Sequence, residues 1–249
     1  MIYTSFRFLN GIDEKTEKNI KIQGIKDWNG FLRTECVRGI SRLKKLHYDR
    51  QLQRAKKELY RQNSSYFTNF PPSDMWKLYE YFKEEAVFLD IETTGLSRYD
   101  QITLIGLFDG IETKTMIRGT NLNIGYLKKE LQKYKMIVTF NGSTFDLPFI
   151  NRKFPDLLPD IPHFDLRHAC ARIGLRGGLK QIEKQLNIER KNKIVEKLYN
   201  GDPVLLWRMY RSTGDGYYLN LLVEYNEEDI INLKPIANHV INELKSKHL

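Results

Sequence analysis

Ala86 to Leu96 read AVFLDIETTGL, and this stretch decides the fold. Ala86, Val87, Phe88 and Leu89 form a short apolar run after the charged Lys83-Glu84-Glu85, which predicts a buried strand. Two acids then stand where the apolar run should continue. Residues i and i+2 of a strand point to one face, so Asp90 and Glu92 project together while Ile91 points the other way. Two carboxylates at the end of a buried strand repel one another and lose hydration, and a divalent cation between them removes that cost. Thr93-Thr94-Gly95 ends the strand in a turn. An edge strand with two solvated acids would suit the same tripeptide, and the residues downstream decide between the two.

Downstream, Ile102 to Phe108 reads as a second strand, Asp109-Gly110 as a hairpin turn and Ile111 to Arg118 as a third strand. Asn123 to Tyr134 is helical in pattern. Met136 to Phe140 is a short apolar strand, parallel to the first because a helix leads into it. Asn141 to Thr144 turns into a helix whose first turn holds Phe145-Asp146, where an acid also suits the helix dipole. Asp165 is a candidate helix cap, and His163 and His168 read as structural. Arg176 to Lys180, with a glycine pair before a helix, offers a weak phosphate-binding signal at Lys180. Asp202-Pro203 opens another helix. From Tyr217 a further helix follows, on which Tyr225 and Asp229 are i and i+4 and share a face, and Pro235 is expected to end or kink it.

Three motifs therefore stand in order: Asp90-Ile91-Glu92-Thr93-Thr94-Gly95-Leu96, Asn141-x-x-x-Phe145-Asp146 and Tyr225-x-x-x-Asp229. Together they resemble the three motifs of the DEDD superfamily of 3′-to-5′ exonucleases. Glu224 occupies the position where one branch carries histidine, so the resemblance is to the tyrosine branch, and to the ribonuclease H-like exonuclease domain of family B DNA polymerases. It covers about residues 86–245. It implies an α/β fold, a ribonuclease H-like mixed sheet flanked by helices, and a hydrolase that cleaves phosphodiester bonds with two divalent cations, Mg²⁺ or Mn²⁺, ~3.5–4 Å apart. It also implies metal ligation by Asp90, Glu92, Asp146 and Asp229, and a Tyr225 that orients the attacking water. Leu96 and Phe145 would pack on the terminal nucleotide, and Thr93 and Asn141 would hydrogen-bond near it. The four acids are expected to converge without enough nearby bases to neutralise them, which makes cleavage metal-dependent. Two rival functions remain open: a structure-specific endonuclease on the same fold, and a non-catalytic nucleic-acid-binding module.

Residues 1–72 read as a separate helical, basic region ahead of an exonuclease domain at 73–249. Asn10-Gly11, a polar helix from Asp13, the break at Gly24 and a helix from Ile25 to Leu32 resemble a helix-hairpin-helix module, and an ordinary αα-hairpin fits them equally. Val37 to Gln62 reads as a long helix. Its basic face includes Lys44, Lys45, Lys56 and Lys57 as candidate phosphate contacts. Asn63 to Pro72 reads as linker. The chain has 249 residues, enough for one sizeable domain and a smaller one, and a net charge of +9 that suits a nucleic-acid partner, DNA or RNA. Cys36 and Cys170 lack zinc spacing, no apolar segment is long enough for a membrane, and no signal-peptide core is visible. A cytoplasmic location is therefore expected.

Overall fold

The computed structural model describes residues 2–247. The chain divides into two units, Met1–Lys83 with Asp160–Pro162, and Glu84–Pro159 with His163–Leu249.

In the first unit, α1 (Glu14–Ile22) is capped by Asp13, whose carboxylate accepts from the Thr16 N–H. Gly24, at φ +84°, turns the chain, and Asp27 caps α2 (Trp28–Arg33) in the same manner. The long helix α3 (Arg42–Tyr60) starts after Ser41, five residues later than its pattern suggested. Its buried face is Lys45, Tyr48, Leu52, Ala55 and Leu59, while Leu43 and Leu46 face outward. Lys45 is therefore not a phosphate contact. Its ammonium pairs with Asp49 at 2.6 Å and sits 4.8 Å over the Phe31 ring. Lys56 is tied to Asn29 at 2.7 Å, and Lys44 and Lys57 remain exposed. The supposed linker is packed, because Phe67 and Phe70 bury their rings. Helix α4 (Met75–Phe82) groups with this unit.

The second unit is a five-stranded mixed sheet of order β3-β2-β1-β4-β5. β1 (Ala86–Thr93) pairs antiparallel with β2 (Ile102–Phe108), which pairs antiparallel with β3 (Thr113–Ile117). Asn123 caps α5 (Ile124–Leu131), the crossover into β4 (Met136–Thr139), which is parallel to β1 as the helical connection requires. After α6 (Asp146–Lys153), β5 (His163–Asp165) adds a second parallel edge. Four helices follow: α7 (Leu166–Arg172), α8 (Leu179–Gln185), α9 (Ile194–Leu198) and α10 (Pro203–Thr213). The last is α11 (Gly216–Ser246), which lies across β1 and β2. Pro235 does not end it. The apolar stripe Ile230, Leu233, Ile236, Ala237 and Val240 is fully buried, and that burial outweighs one missing backbone hydrogen bond. Among the described residues no helix is long and apolar enough to cross a membrane.

Two backbone details aim the acids. Asp90 stands opposite Gly106 across the β1–β2 ladder, and the register slips between Glu92 and Thr93. A bulge of that kind ends regular pairing and re-aims the side chains beside it.

Glu130 on α5 anchors the crossover helix to the sheet. Its carboxylate accepts from Lys114 on β3 and from Lys133, both at 2.6 Å, and from the Tyr134 hydroxyl at 3.1 Å. Burial raises its pKa, and these three donors outweigh burial, leaving it at about 2. A carboxylate held below its unfolded value of ~4.3 adds stability that is complete above that pH and lost as pH falls toward about 2. Denaturant melts across that window should show a steeper acid loss in wild type than in Glu130→Gln. Parallel curves would mean that the three donors do not stabilise the ionised form.

Candidate active site

One carboxylate oxygen each from Asp90, Glu92 and Asp229 lies within 4.8 Å of the others. β1 supplies the first two, and α11 supplies Asp229 from one turn after Tyr225. Asp146 begins α6 and stands outside this trio. Its Oδ1 accepts from the Ile91 N–H at 3.1 Å, which fixes it beside the strand between the two β1 acids.

Like charges so close repel, and burial adds to the cost of ionising them. Burial first, then Asp146, Glu92 and Asp229, hold the Asp90 pKa well above the usual carboxylate range. Burial and Asp229 do the same to Glu92. Burial lifts Asp146 to about 7 and Asp229 to about 6. A hard, all-oxygen donor set that resists full ionisation on its own is the chemistry that a divalent Mg²⁺ or Mn²⁺ satisfies.

Asn226, next to Tyr225, was not singled out by its motif. Its Nδ2 donates to Asp90 Oδ2 at 2.8 Å, and its own Oδ1 is buried without a partner among the described residues. The amide fits there only because Gly106 has no side chain, since a Cβ at that position would collide with Asn226 Oδ1. A glycine inside the otherwise apolar ITLIGLF was the available signal.

One base does reach the acids, Arg190, which follows α8 and meets Asp229 alone of the four. Its guanidinium is buried. Nε and Nη2 donate to the two Glu183 oxygens at 2.8 and 2.9 Å, and Nη2 also donates to Asp229 Oδ1. Asn232 Nδ2 completes the network by donating to Glu183 at 2.8 Å. Arg190 Nη1 is buried with no partner among the described residues. The sequence around Arg190 is a run of surface-like charges that offers no sign of this role.

Tyr225 is half-buried between two cations, with Lys180 Nζ 4.7 Å and the Arg190 guanidinium carbon 5.4 Å from its ring centre. Burial, then the charges of Asp229 and Glu92, push its phenol pKa up, so the hydroxyl keeps its proton. Lys180 also reaches Glu196 at 3.7 Å and helps to line a 430 Å³ pocket that opens onto Tyr225 and Asp229. Leu96 is exposed, and Phe145 is half-buried with its ring 5.6 Å from Phe149. The Thr93 hydroxyl donates to Gly95 O at 2.7 Å. Asn141, at φ +68°, has its side-chain oxygen taken by Arg167 at 2.7 Å and by Thr144 at 2.9 Å.

Removing Arg190 leaves two buried carboxylates, Glu183 and Asp229, without their counter-ion. Arg190→Met should cost about 3–5 kcal/mol of stability in EDTA. Mn²⁺ should restore more of that loss than it adds to wild type, because it replaces charge at Asp229. Thermal melts with and without Mn²⁺ read both effects, and a variant as stable as wild type in EDTA would show that the network carries no weight.

No curated protein matches the chain. Among solved structures, Brucella melitensis NrnC with bound Mg²⁺ is 20% identical with a TM-score of 0.44, covering 68% of this chain and 78% of its own. Escherichia coli RNase D, described as an exoribonuclease involved in structured RNA processing, is 20% identical with a TM-score of 0.48. That match covers 70% of this chain and 43% of RNase D. The family B DNA polymerase of Pyrobaculum calidifontis is 14% identical with a TM-score of 0.43, covering 65% of this chain and 24% of the polymerase. The family model of the RNase H superfamily matches residues 87–241, well over half of the sequence, and the chain belongs to that superfamily.

Proposed function

We propose that the chain is a metal-dependent nuclease that removes nucleotides from the 3′ end of a nucleic-acid strand. One observation carries this reading: oxygens of Asp90, Glu92 and Asp229 lie within 4.8 Å of one another. Asp90, Glu92 and Asp229 would hold divalent ions, with Asp146 behind them. Such ions supply Lewis-acid stabilisation of phosphoryl oxygens and lower the pKa of water.

The chain's own groups do the rest. Asn226 fixes the Asp90 carboxylate, and Arg190 fixes that of Asp229, so the acids do not have to reorganise when the site charges. The Tyr225 hydroxyl, a donor and an acceptor, orients the attacking water. Lys180, at the mouth of the pocket, meets a substrate phosphate. Phe145 and the exposed Leu96 would offer apolar surface to the terminal base, and Thr93 and Asn141 would hydrogen-bond near it. The exposed bases of α3 contact backbone phosphates and supply affinity without sequence information.

End-labelled DNA and RNA in Mg²⁺ or Mn²⁺ test the reaction directly. The reading expects mononucleotides from the 3′ end and none from Asp90→Ala. Discrete internal cuts would instead mean an endonuclease, and no products at all would mean a binding module. Tyr225→Phe should lower kcat by ~10²-fold or more with little change in affinity, since only the hydroxyl is lost. An unaltered kcat would reduce Tyr225 to packing.

Affinity for the strand tests the basic helix separately. Replacing the exposed Lys44, Arg50, Arg54 and Lys57 by Gln should flatten the dependence of log Kd on log salt by about 3, at ~0.7–0.9 per phosphate. An unchanged slope would leave this face merely solvated.

A further inference from the structure

The first unit has a recess that the catalytic reading does not use. It is a pocket of about 220 Å³ lined by Phe8, Gln51, Tyr66, Phe67, Asn69 and Phe70. We infer that this pocket takes one unstacked nucleobase of a bound single strand, at a site separate from the acids. This inference rests on the proposal that the protein acts on nucleic acid.

The walls are aromatic and mutually braced. The Phe8 and Phe70 rings stack at 5.5 Å and 22°, and Phe67 meets Phe70 edge-on at 6.2 Å. Phe67 and Phe70 are buried and brace the wall, and the half-buried Phe8 and Tyr66 offer a planar heterocycle ring surface at little cost in ordering. Its volume falls below the ~300–1,000 Å³ of sites that enclose drug-sized ligands, so it admits one flat ring system and no stacked pair.

The polar groups match a base edge. Gln51 Oε1 is buried and has no partner among the described residues, and a buried acceptor left unpaired costs ~1–3 kcal/mol. Every nucleobase presents an edge N–H that pairs with such an oxygen. Asn69, exposed among the lining residues, adds a second amide with both donor and acceptor character.

Charge places a phosphate beside the pocket. The Arg54 guanidinium lies 5.4 Å over the Tyr66 ring, one helical turn from Gln51 on α3. Within residues 1–83, 17 Lys and Arg face 9 Asp and Glu, a balance of +8 out of the whole chain's +9. The second unit is thus nearly neutral overall, and long-range attraction for a polyanion comes from the unit that holds the pocket.

The test separates base from backbone. Full-length protein in EDTA, where metal-dependent cleavage stops, is titrated into a labelled single strand of ~12 nucleotides and into an abasic strand of equal length and charge. A stacked and hydrogen-bonded base contributes ~1–3 kcal/mol, so the intact strand should bind about tenfold or more tighter. Gln51→Leu keeps the side-chain size and removes the acceptor, and Tyr66→Leu keeps bulk at the rim and removes the ring. Each should lower the intact-to-abasic ratio several-fold and leave abasic affinity unchanged. A wild-type ratio near one overturns the inference, as does a ratio that survives both variants while their circular dichroism matches wild type. If neither strand binds, the inference falls together with the nucleic-acid partner. Cleavage in Mg²⁺ without base preference would leave the nuclease proposal standing alone, and base preference without cleavage would leave the pocket standing alone.

Discussion

Repulsion among carboxylates is the constraint on which this fold is arranged. Asp90, Glu92 and Asp229 lie too close, and too deep, to be ionised together without help. Only a rigid support holds such a cluster. β1 is buried along its length and paired on both sides, and α11 is pressed onto β1 and β2 by its apolar stripe. Neither element can swing its acids into water without opening the core.

The protein relieves part of the repulsion with its own groups. Asn226 meets Asp90 from one side, made possible by the missing side chain at Gly106. Arg190 meets Asp229 from the other and is itself balanced by Glu183. A buried ion pair of this sort is poor evidence for stability alone, because desolvation offsets its attraction. Its effect here is on geometry: Asp229 is held in one pose by a guanidinium with fixed donor directions. The two helices that contribute this support, α8 with Glu183 and α11 with Asp229 and Asn232, are tied to one another by the same network.

Much of the sheet was legible because a strand's period of two and a crossover's direction are local rules. They predicted the β1 acids, the antiparallel pair after it and the parallel β4. What local rules could not supply was partners distant in sequence. Arg190 lies 39 residues from Asp229, in a stretch whose composition reads as solvent-exposed. Lys45 shows the opposite error, since its neighbours suggested a basic surface while helical phase turned it inward onto Phe31 and Asp49. Pro235 failed as a helix stop because tertiary burial overrides a local breaker. Asn63–Pro72 failed as a linker because its aromatic residues pack.

The account turns on whether the acid cluster is a site for divalent cations. Anomalous diffraction from crystals soaked in Mn²⁺ measures this most directly. The account predicts a peak ~2.1 Å from oxygens of Asp90 and Glu92, with Asp229 in the same shell. A soaked crystal with Mn²⁺ elsewhere on the surface and none among these three carboxylates would contradict it.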